Sequence, residues 1–389
     1  MKKKISTSIV TYIGNGVVKG GIVYHEMGKS PVILSARKNV LKYNEERNQE
    51  QLESQIISEF DQMLKQIKTE DFPKIHNKKC NKPDTVMVML ASPWYLSETN
   101  TIKMKEENPF MVTENLIDKA VSNLTKAHKE DSTLSVLEQS YLSVLMNGYS
   151  LNDPIGKKAK DLDITVFNSY VKTDLLKKIK NLITGHFHLH NIFIHSKSLV
   201  TYSAIGDLYP AITDYVIVDI TTAITEVWIT RGGVLRDTGS FPYGKSAFIN
   251  SIAKTLAVNP EIAESLINAQ LSGSLEDDKK ASVSSAIKIA QDEWVLNLNS
   301  VLKNLNLNSA IPKDFFMFAP QNLSELFKKF VESEEYHQSA MSEGNFNVQV
   351  MSITNSCNLC AIDFDQHYTQ DLDTSVALGT LFNNKKLFN

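Results

Sequence analysis

Two short segments of this 389-residue chain carry residue types at spacings that suit phosphate chemistry. The first is Tyr12-Ile13-Gly14-Asn15-Gly16-Val17-Val18-Lys19, a β-rich run, a glycine turn and then a lysine. The second is Val218-Asp219-Ile220-Thr221-Thr222-Ala223-Ile224-Thr225, which sets an acid near the end of a β-rich run. A glycine-bearing turn lets backbone N–H groups come close to a phosphate. A carboxylate at a strand end can hold magnesium or its waters. Two such turns facing each other would clamp a triphosphate. Each feature also has a plainer reading. Asp219 can cap its own turn, Lys19 can be a solvated strand lysine, and Gly14 and Gly16 can form an ordinary hairpin turn.

The elements that must position these turns follow from the hydrophobic pattern. Ile5 to Val23 reads as strand, tight turn and strand, with a third strand at Val32 to Leu34. Asn48 to Lys68 has helical spacing through Leu52, Ile56, Phe60, Leu64 and Ile67, and Val86 to Ala91 is an apolar strand. From Pro93 the character changes: a strand near Thr99 to Met104, a helix from about Thr113, and strands at Val136 to Leu145 and Asp163 to Val171 around the turn-rich Asn152–Gly156. A helix follows from Thr173. Tyr215 to Ile229 is the clearest hairpin, and Val234 to Phe241 adds a strand. Helices are predicted at Phe248–Leu256, Pro260–Ala269, Ala281–Leu305, Leu323–Val331 and Thr374–Phe382, with strands at Phe315–Phe318 and Val348–Met351. The openings at Ile5 and Tyr215 share one plan, which suggests two similar halves.

Other candidate chemistry is weaker. Cys357-Asn-Leu-Cys360 would need two more ligands to hold zinc, with Cys80 and His367 the ones on offer. Ordinary thiols are the simpler reading. His186, His188 and His190 alternate, which predicts a strand or loop face of solvated histidines rather than a metal site. A formal net charge of −3 argues against nucleic acid as a partner. A hydrophobic content of 42% is enough for real cores. The basic Met-Lys-Lys-Lys start lacks an adequate apolar run behind it, and no stretch of about 18 apolar residues occurs. With an odd number of cysteines, a cytoplasmic protein is expected.

The two turns and the segments around them resemble the actin-like superfamily, and within it the FtsA and PilM group of bacterial cell division and type IV pilus assembly. The family's first phosphate loop runs Asp-Ile-Gly-x-x-x-x-Lys, which Tyr12 to Lys19 matches except that Tyr12 replaces the acid. Its second runs Val-Asp-Ile-Gly-x-x-Thr-Thr, which Val218 to Thr225 follows with Thr221 in place of glycine. Phe241-Pro242-Tyr243-Gly244-Lys245 is similar to the apolar-Pro-x-Gly-Gly segment. Ala263-Glu264-Ser265-Leu266-Ile267 is similar to Ala-Glu-x-x-Lys, with Ile267 at the lysine position. The adenosine loop, normally a strand and Gly-Gly, is Phe315–Phe318 followed by Ala319-Pro320. Tyr149 to Gly156 resembles the Asn-Pro-x-Gly turn of the FtsA inserted subdomain, and Val376-Ala377-Leu378-Gly379 the family's last helix.

The resemblance implies an α/β, ribonuclease H-like duplicated fold with two halves around a cleft. The first half would span 1–92 and 173–212, the inserted α+β subdomain 93–172, and the second half 213–389 with a helical insertion at 240–310. It implies ATP and magnesium as cofactors. Gly14, Asn15, Gly16, Lys19, Asp219, Thr221, Thr222, Gly244, Glu264 and Ala319 would be in contact, and Asp219 would be the metal-side and catalytic acid. The departures at Tyr12, Thr221 and Ala319-Pro320 point to weak binding or none. The reading that follows is a scaffold that binds division or pilus proteins through 93–172 and can self-assemble into oligomers or filaments. Its tail, too short for an interfacial anchor, would meet the membrane only through a partner. The alternatives are an active ATP-driven polymer or switch and, with less support, a sugar or acetate kinase of the same superfamily.

Overall fold

The computed structural model describes residues 4–41, 48–75, 80, 82–124, 131–151, 153–305, 310–333, 345–353, 360–363 and 372–388. Cys357 and His367 lie outside them. The chain divides into two compact units. One contains residues 1–211, 233–236 and 353–389, and the other 212–232 and 237–352.

The first unit is built on a seven-stranded sheet. Its central strand β1 (Ile5–Ile13) pairs antiparallel with β2 (Val17–Glu26) and parallel with β5 (Thr85–Leu90). Strand β10 (Ile192–Ser196) adds parallel to β5. On the other side β3 (Val32–Ile33) and β4 (Arg37–Val40) pair with β2, and β16 (Ala361–Ile362) pairs with β3. Nearly every residue of β1 and β5 is buried, as a strand covered on both faces must be. One face is covered by α1 (Gln49–Gln66) and α3 (Thr173–Phe187), whose Phe60, Met63, Leu64, Ile179 and Ile183 pack on Ile9, Ile13, Val86 and Val88. The N-terminus of α1 is closed by a reciprocal capping box between Asn48 and Gln51. Two further helices, α4 (Lys197–Leu208) and α9 (Thr374–Phe388), pack on each other, and α9 lies on β1 and β2.

Between β5 and β10 the chain forms a second, four-stranded antiparallel sheet. Its order is β6 (Tyr95–Met111), β9 (Lys158–Lys172), β7 (Leu134–Met146) and β8 (Tyr149–Ser150). Helix α2 (Glu114–Leu124) supplies Val121 to a small core with Val112, Leu162, Ile164 and Val166. This sheet begins at Tyr95, close to the change of character at Pro93.

The second unit carries a five-stranded sheet of β11 (Tyr215–Ile220), β12 (Thr225–Arg231), β13 (Val234–Phe241), β14 (Asp314–Phe318) and β15 (Asn347–Val350). Its order is β13-β12-β11-β14-β15, with β11 antiparallel to β12 and parallel to β14. This is the same succession as β3-β2-β1-β5-β10, so the two openings seen in the sequence head two copies of one sheet plan. Helices α5 (Lys245–Leu256), α6 (Pro260–Ser272), α7 (Asp277–Asn304) and α8 (Ser324–Val331) bury Phe248, Ile267, Trp294 and Phe327 against Val216, Val218 and Met317.

Two expectations are corrected. His186 sits in the last turn of α3, 2.7 Å from Asp61, and His188 closes that helix with φ of 53°. The alternating histidines therefore do not share a strand face: His186 is in the helix, which ends at Phe187, and His188 and His190 lie in the loop after it. The segment 353–389, expected with the second half, falls in the first unit. The apolar face of α9 is spent on β1, where Gly379 meets the Val10 side chain.

Candidate functional site

The first turn is closed by its own side chains. The hairpin register sets Tyr12 opposite Lys19 and Ile13 opposite Val18, and the Gly14 N–H donates to the Val17 carbonyl at 2.9 Å. Asn15 is half-buried at the tip, and Gly16 has φ of 82°. The Tyr12 ring folds over Gly14: a Cβ on Gly14 would lie 2.6 Å from the Tyr12 hydroxyl and from a ring carbon. Glycine is needed here so that the ring can lie on the backbone, which is the close approach a phosphate would otherwise use. Tyr12 is 2% exposed. Two ammonium groups flank its ring, Lys19 Nζ at 4.8 Å from the centroid and Lys197 Nζ at 5.2 Å, within range of cation–π attraction. Trp94 Nε1 donates to the Gly14 carbonyl at 2.8 Å, and the Ala91 N–H to that of Ile13 at 2.9 Å.

Lys19 also forms an ion pair with Asp373, 2.8 Å away, with side-chain exposures of 12% and 27%. Asp373 stands at the start of α9. Its carboxylate accepts from the Ser375 N–H at 2.8 Å, and its carbonyl from Val376 and Ala377. Burial alone would raise the Asp373 carboxyl, but the Lys19 ammonium and the Ser375 N–H outweigh it and hold the group well below the usual carboxylate range. Burial pushes the Lys19 ammonium down, and Asp373 opposes that shift.

The second turn is tied to a helix. Thr221 replaces the family's glycine, and its hydroxyl both donates to the Ile224 carbonyl at 2.7 Å and accepts from the Ile224 N–H at 3.2 Å. The carbonyls of Thr221, Thr222 and Ala223 accept from the N–H groups of Lys245, Ser246 and Gly244 at 2.9, 2.8 and 3.1 Å. The start of α5, whose N–H groups could have served an anion, is thereby engaged by the turn. Gly244 is required by proximity: a Cβ there would lie 2.5 Å from the Thr221 oxygen. Asp219 is buried directly across from the buried Glu226 in the β11–β12 register. Among the described residues, no three acids, histidines or cysteines group as a metal would require.

Glu264, on α6, pairs with Lys245 Nζ at 2.7 Å and accepts from Asn322 Nδ2 at 3.2 Å. Ile267, at the position of the family's lysine, is fully buried in the core. The cation beside Glu264 is thus supplied from the preceding helix, α5. Ala319 packs against the same core, and the Pro320 carbonyl accepts from the Leu323 N–H.

Sequence reasoning missed Lys197, Asp373, Trp94 and Glu138. Ser196 and Lys197 open α4, and the Ser196 hydroxyl accepts from Leu199 in capping it, a signal of the usual kind. Glu138 of β7 joins three strands. It accepts from Ser169 Oγ and the Ser196 N–H, both at 3.0 Å, pairs with the Ser196 hydroxyl, and lies 2.7 Å from His195 Nδ1. Beside it, β7, β10 and α3 enclose a pocket of about 240 Å³ lined by Val136, Leu137, Leu176, Lys180, Phe193 and His195.

Sheet plan and turns together define an actin-like fold. Among solved structures, the chain is similar to one in the PilM–PilN type IV pilus biogenesis complex, at TM-score 0.63 and 12% identity, with 100% of both chains covered. Two others are less similar. The ethanolamine utilization protein EutJ from Carboxydothermus hydrogenoformans gives TM-score 0.43 and 9% identity, covering 97% of this chain and 90% of that one. MreB 5 of Spiroplasma citri, bound to AMPPNP, gives 0.42 and 9%, covering 98% and 97%. The fold assignment rests on the first. No family model matches the chain, and no curated protein matches it.

Proposed function

We propose that this protein is an actin-like scaffold that binds partners and has lost the use of ATP. The observation that carries this reading is the Tyr12 ring lying on the Gly14 backbone while Lys19 is held by Asp373. A phosphate needs the space the ring fills and the charge the carboxylate takes. The residues at this turn do not fit Mg–ATP. Phosphoryl transfer needs metal-held charge and an oriented water, and a buried tyrosine supplies neither.

The inserted subdomain, residues 93–172, is the partner-binding element in this reading. Its strand β7 and the sheet-edge strand β10 flank the pocket, where Val136 and Phe193 are 42% and 43% exposed and Lys180 adds positive charge. An extended segment with apolar side chains and an acidic group suits such a surface. The likeness to a chain of the PilM–PilN complex supports type IV pilus assembly as the setting, with division machinery the other. The protein works at the cytoplasmic side, reaching the membrane through its partner and assembling with copies of itself. No helix among the described residues is long and apolar enough to cross a membrane.

The test is calorimetry with Mg–ATP on wild type and Asp219→Ala. No binding at millimolar ATP is the expected result. Micromolar binding that disappears in Asp219→Ala would overturn the scaffold reading. It would instead support an ATP-driven polymer or switch with weak ATPase activity, which the acid near the end of β11 favours.

A further inference from the structure

We infer that His195 is the hydrogen-bond acceptor by which the pocket beside β10 selects its partner: Glu138 keeps the ring proton on Nδ1, and the docked segment must bring an N–H or O–H donor to Nε2. This rests on the reading that the pocket is the partner surface, and it adds which polar group that surface selects.

The position of Glu138 is set by a bulge. Between β7 and β9, Val136 pairs with Tyr170 and Glu138 with Ser169, so Leu137 is an extra residue in β7. A bulge of this kind re-aims the side chain beside it. Glu138 Oε1 accepts from Ser169 Oγ and from the Ser196 N–H, both at 3.0 Å, and pairs with the Ser196 hydroxyl as well. Oε2 is left for His195 Nδ1, at 2.7 Å. A carboxylate surrounded by donors only accepts, so the proton of that contact belongs to Nδ1. The hydrogen bond at one imidazole nitrogen fixes the role of the other, and in the neutral ring Nε2 is then an acceptor.

The ring is held in place and is still reachable. It meets Phe382 edge to face, with centroids 4.9 Å apart and planes at 70°. The His195 side chain is 17% exposed and that of Glu138 7%, so the imidazole is the member of the pair open to a ligand. Among the described residues Nε2 has no hydrogen-bond partner, and it is not one of the polar atoms sealed inside the fold. Phe193, two residues back on β10, shares this face of the strand and lines the same pocket with Val136 and Lys180. A segment that covers Phe193 therefore covers His195 too. An acceptor covered without a donor is left unpaired, and a site built around a hydrogen bond rejects a ligand that lacks it. Lys180 calls for an acidic group on the segment, and His195 calls for a donor beside it.

Glu138→Gln tests this without changing the shape of the side chain. Its amide oxygen has to stay with the Ser169 and Ser196 donors, which turns the NH2 group toward Nδ1. Nδ1 must then accept, and the ring proton moves to Nε2. Nitrogen-15 NMR of the full chain with labelled histidine, at pH 8, reads the tautomer, and His195→Phe assigns the signal. A proton on Nδ1 is expected in wild type and on Nε2 in Glu138→Gln. Fluorescence anisotropy with a labelled cytoplasmic segment of a pilus-assembly partner reads the consequence. Binding at least tenfold weaker is expected for Glu138→Gln and for His195→Phe. The double variant should be no weaker than His195→Phe alone, because Glu138 acts through the ring as a positioning residue. A proton on Nε2 in wild type would overturn the inference, and this result is available even where Glu138→Gln folds poorly. Full affinity in a Glu138→Gln variant whose tautomer has switched, or a double variant weaker than His195→Phe, would overturn it as well. Failure of the pocket reading is a separate result, in which Phe193→Glu also leaves binding unchanged.

Discussion

Tyr12 and Lys19 face each other across the first hairpin, and the lysine ammonium lies 4.8 Å from the centre of the tyrosine ring. Antiparallel register makes them neighbours on one face of the sheet. Tyr12→Phe keeps the packing and costs less than about 1.5 kcal/mol. Tyr12→Ala leaves a cavity between two lysines and costs about 3–5 kcal/mol. Urea unfolding of the two variants checks the contrast. Equal losses would mean that the ring does not hold the turn.

Lys19→Met strands the Asp373 carboxylate without its cation. A fully buried pair broken on one side costs about 3–5 kcal/mol, and the partial exposure here places the loss at the lower end, about 3. The folded Asp373 carboxyl is held below its unfolded value, so the pair's contribution is fully present above the unfolded carboxyl pKa of about 4 and is lost as the pH falls further. Stability of wild type relative to Lys19→Met, measured from pH 7 down to pH 2, should converge at the acid end.

His25 gives a second pH dependence, at higher pH. It is buried, with Nε2 at 2.7 Å from Ser8 Oγ and Nδ1 at 2.9 Å from Asn384 Oδ1. That arrangement suits the neutral ring protonated on Nδ1. Burial lowers its pKa from 6.5 to about 4, partly opposed by Asn384. The unfolded chain therefore binds a proton between those values that the folded chain refuses. Stability contributed by the neutral ring is full above about pH 6.5 and falls toward pH 4, by about 3 kcal/mol in all. His25→Gln should flatten this part of the pH–stability curve. An unchanged slope would show that another group carries it.

Gly244 and Gly185 predict opposite responses to alanine. At Gly244 the added methyl meets the Thr221 carbonyl, so Gly244→Ala should cost about 1–3 kcal/mol and loosen the second turn. At Gly185, inside α3 with open space beside it, the same change should stabilise by about 0.5–1 kcal/mol. Thermal unfolding of both variants reads the two signs directly.

Phe193→Glu places a charge in the pocket beside β7 without touching a core residue, so folding should be unchanged. Its effect should fall on partner binding. Fluorescence anisotropy with a labelled cytoplasmic segment of a pilus-assembly partner should report at least a tenfold weaker affinity than wild type. Undiminished binding would move the docking surface away from this pocket.

Much of the fold was legible because local signals were strong and agreed. The 3.6-residue spacing from Leu52 to Ile67 marked α1, and the alternation on either side of Gly14–Gly16 marked the hairpin. Among the unmarked elements were β10 and α4, where Ile192–Ser196 is short and α4 is buried on most sides, so neither period stands out. His186 misled because the helix from Thr173 runs on to Phe187, one turn past where the apolar spacing had marked its end, while His188 and His190 lie in the loop that was one of the two settings expected.

The sequence by itself determined the duplicated strand–turn–strand plan and the departures at Tyr12, Thr221 and Ala319, since each lies in a contiguous stretch of chain. Only the tertiary structure decided what those departures do. Asp373 lies far along the chain from Lys19, Lys197 reaches Tyr12 from the start of α4, and Lys245 replaces the cation missing at Ile267 from a different helix. Such pairings are set by the docking of helices on sheets, through apolar burial that is nondirectional and leaves no local trace of which charges it will bring together.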